Sequence, residues 1–267
     1  MKDRPIGVFD SGVGGLTVVR ELLALLPEER VIYFADNAYV PYGSRPLEQV
    51  AEFAQAIVRF LEEQGVKMVV TGCNMSSAAL MDGLVKPGRI PLVGLVEPAC
   101  RAVALRGCKR VGVLATPGTV KSGIYSRAIV GMNPGCEVLE EACSELVPLV
   151  EAGEFGSEQS RSVVKAHLSP LLNWGMDTVL LGCTHYPFLL PAIEQVIGSG
   201  ISVIDPAREV AVVVRKALAG GDSLSPSSNG LPHRFFASGD PVQLGSFAEE
   251  LFGLQVGAVE KRDVHPS

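Results

Sequence analysis

The sequence has no long apolar run. No stretch approaches the roughly 18 residues a membrane helix needs, and the opening MKDRPIGVFDSG lacks the apolar segment of a signal peptide. The chain therefore reads as cytoplasmic, with no membrane partner. It also lacks any Lys/Arg run, and its formal net charge is −6. Nothing in it offers the electrostatic footprint of a nucleic-acid binder. The cysteines are Cys73, Cys100, Cys108, Cys136, Cys143 and Cys183, and no two have C-x-x-C spacing. That argues against a zinc knuckle and a thioredoxin-like redox pair, and no metal ligand set is predicted. A chain of 267 residues can bury a core without disulfides, so reduced thiols are expected.

What is present is a rhythm. Short apolar runs alternate with amphipathic stretches: IGVFD (6–10), then a helix over 15–26, VIYFAD (31–36), a helix over 46–65, and VKMVVTG (66–72). The rhythm resumes with KRVGVLATPG (109–118), CEVLE (136–140), DTVLLG (177–182) and ISVID (201–205). This pattern predicts an α/β fold with mainly parallel sheets flanked by helices. The polar stretch GGDSLSPSSNGLP (220–232) reads as a mobile surface loop, and 233–253 supply a further strand and helix.

The two halves resemble each other. IGVFDSGVG (6–14) is similar to VGVLATPGT (111–119), and VVTGCNMSSA (69–78) to LLGCTHYPF (180–188). Duplication would give two pseudo-symmetric lobes with a cleft between them. Ligands of open α/β sheets bind at the carboxyl ends of strands. Those ends carry Asp10 and Ser11, the ADNAYVPYG segment (35–43), Cys73 and Asn74, Thr116, and Cys183, Thr184 and His185.

The glycine-rich loop Gly12–Gly15 is neither G-x-G-x-x-G nor a P-loop, so it reads as a tight turn whose N–H groups suit a carboxylate. Four cysteines read as core residues. Cys73 and Cys183 differ, because each follows Gly at an equivalent strand end. A helix N-terminus nearby favours thiolate. Two like groups facing each other across a cleft suit proton removal from one face of a carbon and delivery to the other. A Cys-dependent amidase and a non-catalytic two-lobed binding protein remain alternatives.

These residues resemble the glutamate racemase family, amino-acid racemases that work without pyridoxal phosphate. The carrying segments are FDSGVGGLTV (9–18), the PYG of 41–43, TGCNMSSA (71–78) and LGCTHYP (181–187), with DPA (205–207) and SGDP (238–241) as later landmarks. The resemblance implies no cofactor and a small-molecule partner, glutamate. It implies Cys73 and Cys183 as the acid/base pair, Cys73 acting on the D-isomer and Cys183 on the L-isomer, assisted by Asp10, Glu151 and His185. It further implies substrate contacts from Asp10, Ser11, Tyr42, Gly43, Asn74, Met75, Thr184 and His185. Residues 1–95 and 209–267 would form one lobe and 96–208 the other, in a homodimer supplying D-glutamate for peptidoglycan. His185 favours glutamate over aspartate, since aspartate racemases usually carry Glu after the Cys-Thr pair. An aspartate or broader amino-acid racemase of the same superfamily is the nearest alternative. Met75 and Tyr39 depart from the family pattern, which usually has Thr and often has Arg at those places.

Overall fold

The computed structural model describes residues 2–227, 232–253 and 257–265. The strands among the described residues are β1 (Ile6–Asp10), β2 (Val31–Ala35), β3 (Met68–Thr71), β4 (Leu92–Val93), β5 (Arg110–Ala115), β6 (Glu137–Ala142), β7 (Thr178–Gly182), β8 (Ser202–Ile204), β9 (Arg234–Ala237) and β10 (Val259–Lys261). They form two sheets, ordered β10-β9-β2-β1-β3-β4 and β6-β5-β7-β8, and every pairing is parallel. The orders β2-β1-β3-β4 and β6-β5-β7-β8 are the same arrangement. The repeat seen in the sequence thus has a counterpart in the fold: β1 matches β5, and β3 matches β7.

Parallel strands with helices on both faces must be apolar on both sides. In β1, Ile6 and Val8 enter one core cluster and Phe9 the other. In β7, Val179 and Leu181 face one cluster and Leu180 the opposite one. This period of two explains why the strands read as unbroken apolar runs rather than alternating ones.

The predicted strands and helices occur within a residue or two of their expected ends, apart from 109–118, where the strand ends at Ala115 and Pro117 already opens a helix. The two short edge strands β4 and β10 carry too little pattern to be read from sequence. Of the loop predicted over 220–232, residues 228–231 lie outside the described residues. Its stem is tied down: Lys67 Nζ donates to Ser223 O at 2.8 Å, and Ser225 N donates to Glu29 Oε1 at 2.9 Å. No helix among the described residues is long and apolar enough to cross a membrane.

Candidate active site

Parallel register brings the chemistry to one level. Phe9 pairs with Thr71 and Ala115 with Gly182, so Asp10 at the end of β1 and Cys73 just past β3 lie at the same end of one sheet, and Thr116 and Cys183 just past β5 and β7 at that of the other. A single cavity of about 30 Å³ is lined by Asp10, Ser11, Tyr42, Gly43, Cys73, Asn74 and Met75 from the first lobe, and by Thr116, Thr119, Cys183, Thr184 and His185 from the second. Pro41, Val147 and Gly182 complete its wall. Both singled-out thiols therefore line the same cavity. Cys100, Cys108, Cys136 and Cys143 pack in the cores.

Cys73 precedes the helix Asn74–Met81, the position where a dipole favours thiolate. Burial wins instead. It pushes the Cys73 thiol up to about 12, the charge of Asp10 adds to the rise, and the backbone N–H and hydroxyl of Ser76 only partly oppose it.

The glycine-rich loop holds a carboxylate, and it is the chain's own. Asp10 Oδ2 accepts from Gly15 N at 2.8 Å and from Gly12 N at 3.4 Å. Burial raises the Asp10 pKa, while His185 and these N–H groups pull it back. Asp10 Oδ1 is buried without a hydrogen-bond partner. The glycines also let the two lobes meet. A Cβ on Gly14 would lie 2.6 Å from both His185 Nδ1 and Thr184 Oγ1, and one on Gly12 would lie 2.8 Å from Glu151 Oε1.

In the second lobe, Cys183 Sγ lies 3.7 Å from His185 Nδ1, and His185 Nε2 lies 2.6 Å from Glu151 Oε1. Burial disfavours the imidazolium, but the hydrogen bonds to Cys183 and Glu151 outweigh it and hold the His185 pKa well above its ordinary value. Glu151 ends the short helix Leu146–Glu151; its other oxygen accepts from Gln243 Nε2 at 3.4 Å. Glu151 does not line the cavity itself and reaches it through His185.

Tyr42 lines the cavity, but its hydroxyl donates to Asp36 Oδ2, so its ring and backbone are what it presents there. Asn74 Oδ1 accepts from Tyr125 OH, while Asn74 Nδ2 is buried without a partner. Tyr39 lies off the cavity, packed on Phe53 and His265. Sequence reading missed Thr119, Gln243, Asp36 and His265. Only Asp36 carried a signal, its place at the end of β2.

The sequence profile of the Asp/Glu/Hydantoin racemase family matches residues 6–214. A glutamate racemase of Desulforudis audaxviator is 40% identical over 257 residues, covering 94% of each chain. The crystal structure of glutamate racemase isoform RacE1 from Bacillus anthracis superposes with a TM-score of 0.91 at 35% identity, covering 98% of both chains. That of the Francisella tularensis glutamate racemase in complex with D-glutamate gives 0.90 at 31% identity over 99% of both. Matches of this length, carried by the same two-sheet fold, leave one assignment: the chain belongs to the Asp/Glu/hydantoin racemase family, among the glutamate racemases.

Proposed function

We propose that this protein interconverts L- and D-glutamate by a two-base transfer at the α-carbon, with Cys73 and Cys183 exchanging the roles of base and acid. The observation that carries the reading is that both thiols, at equivalent strand ends of the two lobes, line one cavity. With the α-carbon between them, one sulfur removes the proton from one face and the other delivers a proton to the opposite face.

The surroundings suit that chemistry. Asp10 Oδ1, unpartnered and buried, is an acceptor for the substrate ammonium. That cation beside Asp10 offsets the negative charge that raises the Cys73 pKa. His185 Nδ1, 3.7 Å from Cys183 Sγ, is placed to exchange a proton with it. Thr184, Ser11, Asn74, Met75 and the Tyr42–Gly43 backbone form the remaining wall for the two carboxylates. A cavity of about 30 Å³ has room for a few waters only, so the lobes part to admit an amino acid and close to exclude water around the carbanion. Residues 1–95 with 209–267 form one such lobe and 96–208 the other. The product D-glutamate supplies peptidoglycan synthesis in the cytoplasm, and the active form is a homodimer.

The test uses each enantiomer separately in D₂O, followed by chiral chromatography and by NMR of the α-position. The wild-type protein should racemise glutamate in both directions and place solvent deuterium on product. Cys73→Ala and Cys183→Ala should each abolish racemisation. A single variant that racemises at the wild-type rate sinks the two-base scheme, and faster turnover of aspartate than of glutamate reassigns the substrate.

A further inference from the structure

We infer that His265 is a positioning residue for the racemisation site, acting through Asp36 on the Tyr42–Gly43 turn. The inference rests on the reading of the cavity given above. It starts from a chain of three side chains that the two-base scheme does not use. His265 Nε2 lies 2.9 Å from Asp36 Oδ2, and Tyr42 OH donates to the same oxygen. The Asp36 side chain is fully buried and that of His265 nearly so. Asp36 follows β2, and its backbone N–H donates to Asp10 O at 2.8 Å, so the carboxylate is anchored beside the strand that carries Asp10. Tyr42 opens the short 3-10 turn Tyr42–Ser44 that walls the cavity.

A buried carboxylate is costly unless donors meet it. Asp36 Oδ1 has no partner, so the donors to Oδ2 carry the compensation. If His265 is removed, Tyr42 OH alone meets the carboxylate, and one buried oxygen pairing holds the turn in place of two. His265 is itself held firmly. Its ring packs edge-on against Tyr39 with centroids 4.7 Å apart and lies 4.6 Å from that of Phe53. Its backbone N–H donates to Asp263 Oδ1 at 3.0 Å, and Asp263 Oδ2 accepts from Tyr39 OH at 3.3 Å. Arg45 lies over Phe53 on the same wall and donates to Tyr39 O at 2.8 Å. The segment after β10 thus reaches across to brace a turn that closes on substrate, although it is distant in sequence from every motif of the site.

The test compares His265→Ala, His265→Gln and His265→Asn in the full chain, with Tyr42→Phe and the Tyr42→Phe/His265→Ala double variant. The Gln amide can reach Asp36 where His265 Nε2 does; the shorter Asn amide cannot. His265→Ala and His265→Asn should raise KM for glutamate about 5- to 10-fold with kcat within about twofold of wild type, the pattern of lost ground-state binding. His265→Gln should restore KM. In the Tyr42→Phe background, His265→Ala should add nothing further. Hydrogen exchange of the Gly43 amide, which needs no turnover, should speed up in His265→Ala and not in His265→Gln. Unchanged KM and Gly43 exchange in His265→Ala, equal behaviour of Gln and Asn, or full multiplication of effects in the double variant would each overturn the inference. A wild-type protein that does not racemise glutamate overturns the reading of the cavity instead, and the Gly43 exchange still decides whether His265 braces the turn.

Discussion

His185 joins a carboxylate to a thiol: its Nε2 lies 2.6 Å from Glu151 Oε1 and its Nδ1 3.7 Å from Cys183 Sγ. As an imidazolium it donates in both directions. The partners raise its pKa above that of a free imidazole despite complete burial, so the folded protein keeps a proton that the unfolded chain releases near pH 6.5. The resulting stability is fully present below about pH 6.5 and is lost as pH rises through the folded value.

Glu151→Gln removes the charge that supports this proton. The His185 resonance should then titrate at lower pH in ¹⁵N-imidazole NMR, and the loss of stability seen in urea titrations should shift to lower pH with it. The turnover number should fall on the order of 10²-fold, the low end of what positioned acid–base groups contribute. A variant whose His185 titrates as in wild type would show that the carboxylate does not set its protonation.

Asp10 has two opposed effects on Cys73, and they can be separated. With the thiol pushed up to about 12, thiolate at pH 8 is on the order of 10⁻⁴ of the population. Alkylation of Cys73 by iodoacetamide, read by peptide mass spectrometry, should rise about tenfold per pH unit up to the region of pH 11. Asp10→Asn removes a neighbouring negative charge, so at pH 8 Cys73 should alkylate faster. Racemisation should nevertheless become slower, because the acceptor for the substrate ammonium is weakened. Slower alkylation in Asp10→Asn would contradict the electrostatic account.

The glycine loop and the tail show how far the sequence was legible. Unbroken apolar runs identified the inner strands, because burial on both faces leaves a strong pattern. Gly-Cys at two equivalent strand ends identified the thiols, because the fold fixes what strand ends face. Gly12–Gly15 read as a possible carboxylate cradle, and they do hold one, Asp10. Their second use, close approach of the other lobe to His185 and Glu151, depends on how two lobes dock, which no local pattern encodes. Glu151 was reached only through the family resemblance, and His265 not at all, for the same reason. A lone Glu among several, or a lone His far along the chain, gains meaning only from a tertiary partner.

Lys67 and Glu29 form an ion pair of 2.6 Å with both side chains almost wholly buried. Lys67 immediately precedes β3, at the end opposite Cys73, and it also donates to Lys2 O and Ser223 O. Lys67→Met removes the buried countercharge of Glu29, leaving only the Ser225 N–H to meet its carboxylate, and should cost about 3–5 kcal/mol in urea denaturation. At temperatures where the variant stays folded, kcat should be close to wild type. A large fall in kcat without loss of stability would mean that this end of the strand communicates with the site.

Gly118 offers a substitution whose effects on stability and activity have opposite signs. It lies in the helix Pro117–Ser122 of the second lobe. A Cβ there would collide with the backbone oxygen of Gly43 in the first lobe and lie 3.1 Å from Met75 Cε. Backbone cannot yield as a flexible side chain can, so Ala at 118 is incompatible with the closed cavity. Within its own lobe, the substitution replaces a helical glycine by alanine, a change that favours a helix by about 0.5–1 kcal/mol. Gly118→Ala should therefore keep or raise the melting temperature while kcat/KM for glutamate falls by about tenfold or more, as closure is obstructed. Gly131 is the control. It lies in the helix Ile124–Met132, where an added Cβ meets nothing within 4 Å. Gly131→Ala should gain the same helical stability with activity intact. If both variants kept full activity, contact between Gly43 and Gly118 would not be required for turnover, and the catalytic state would be more open than this closed arrangement.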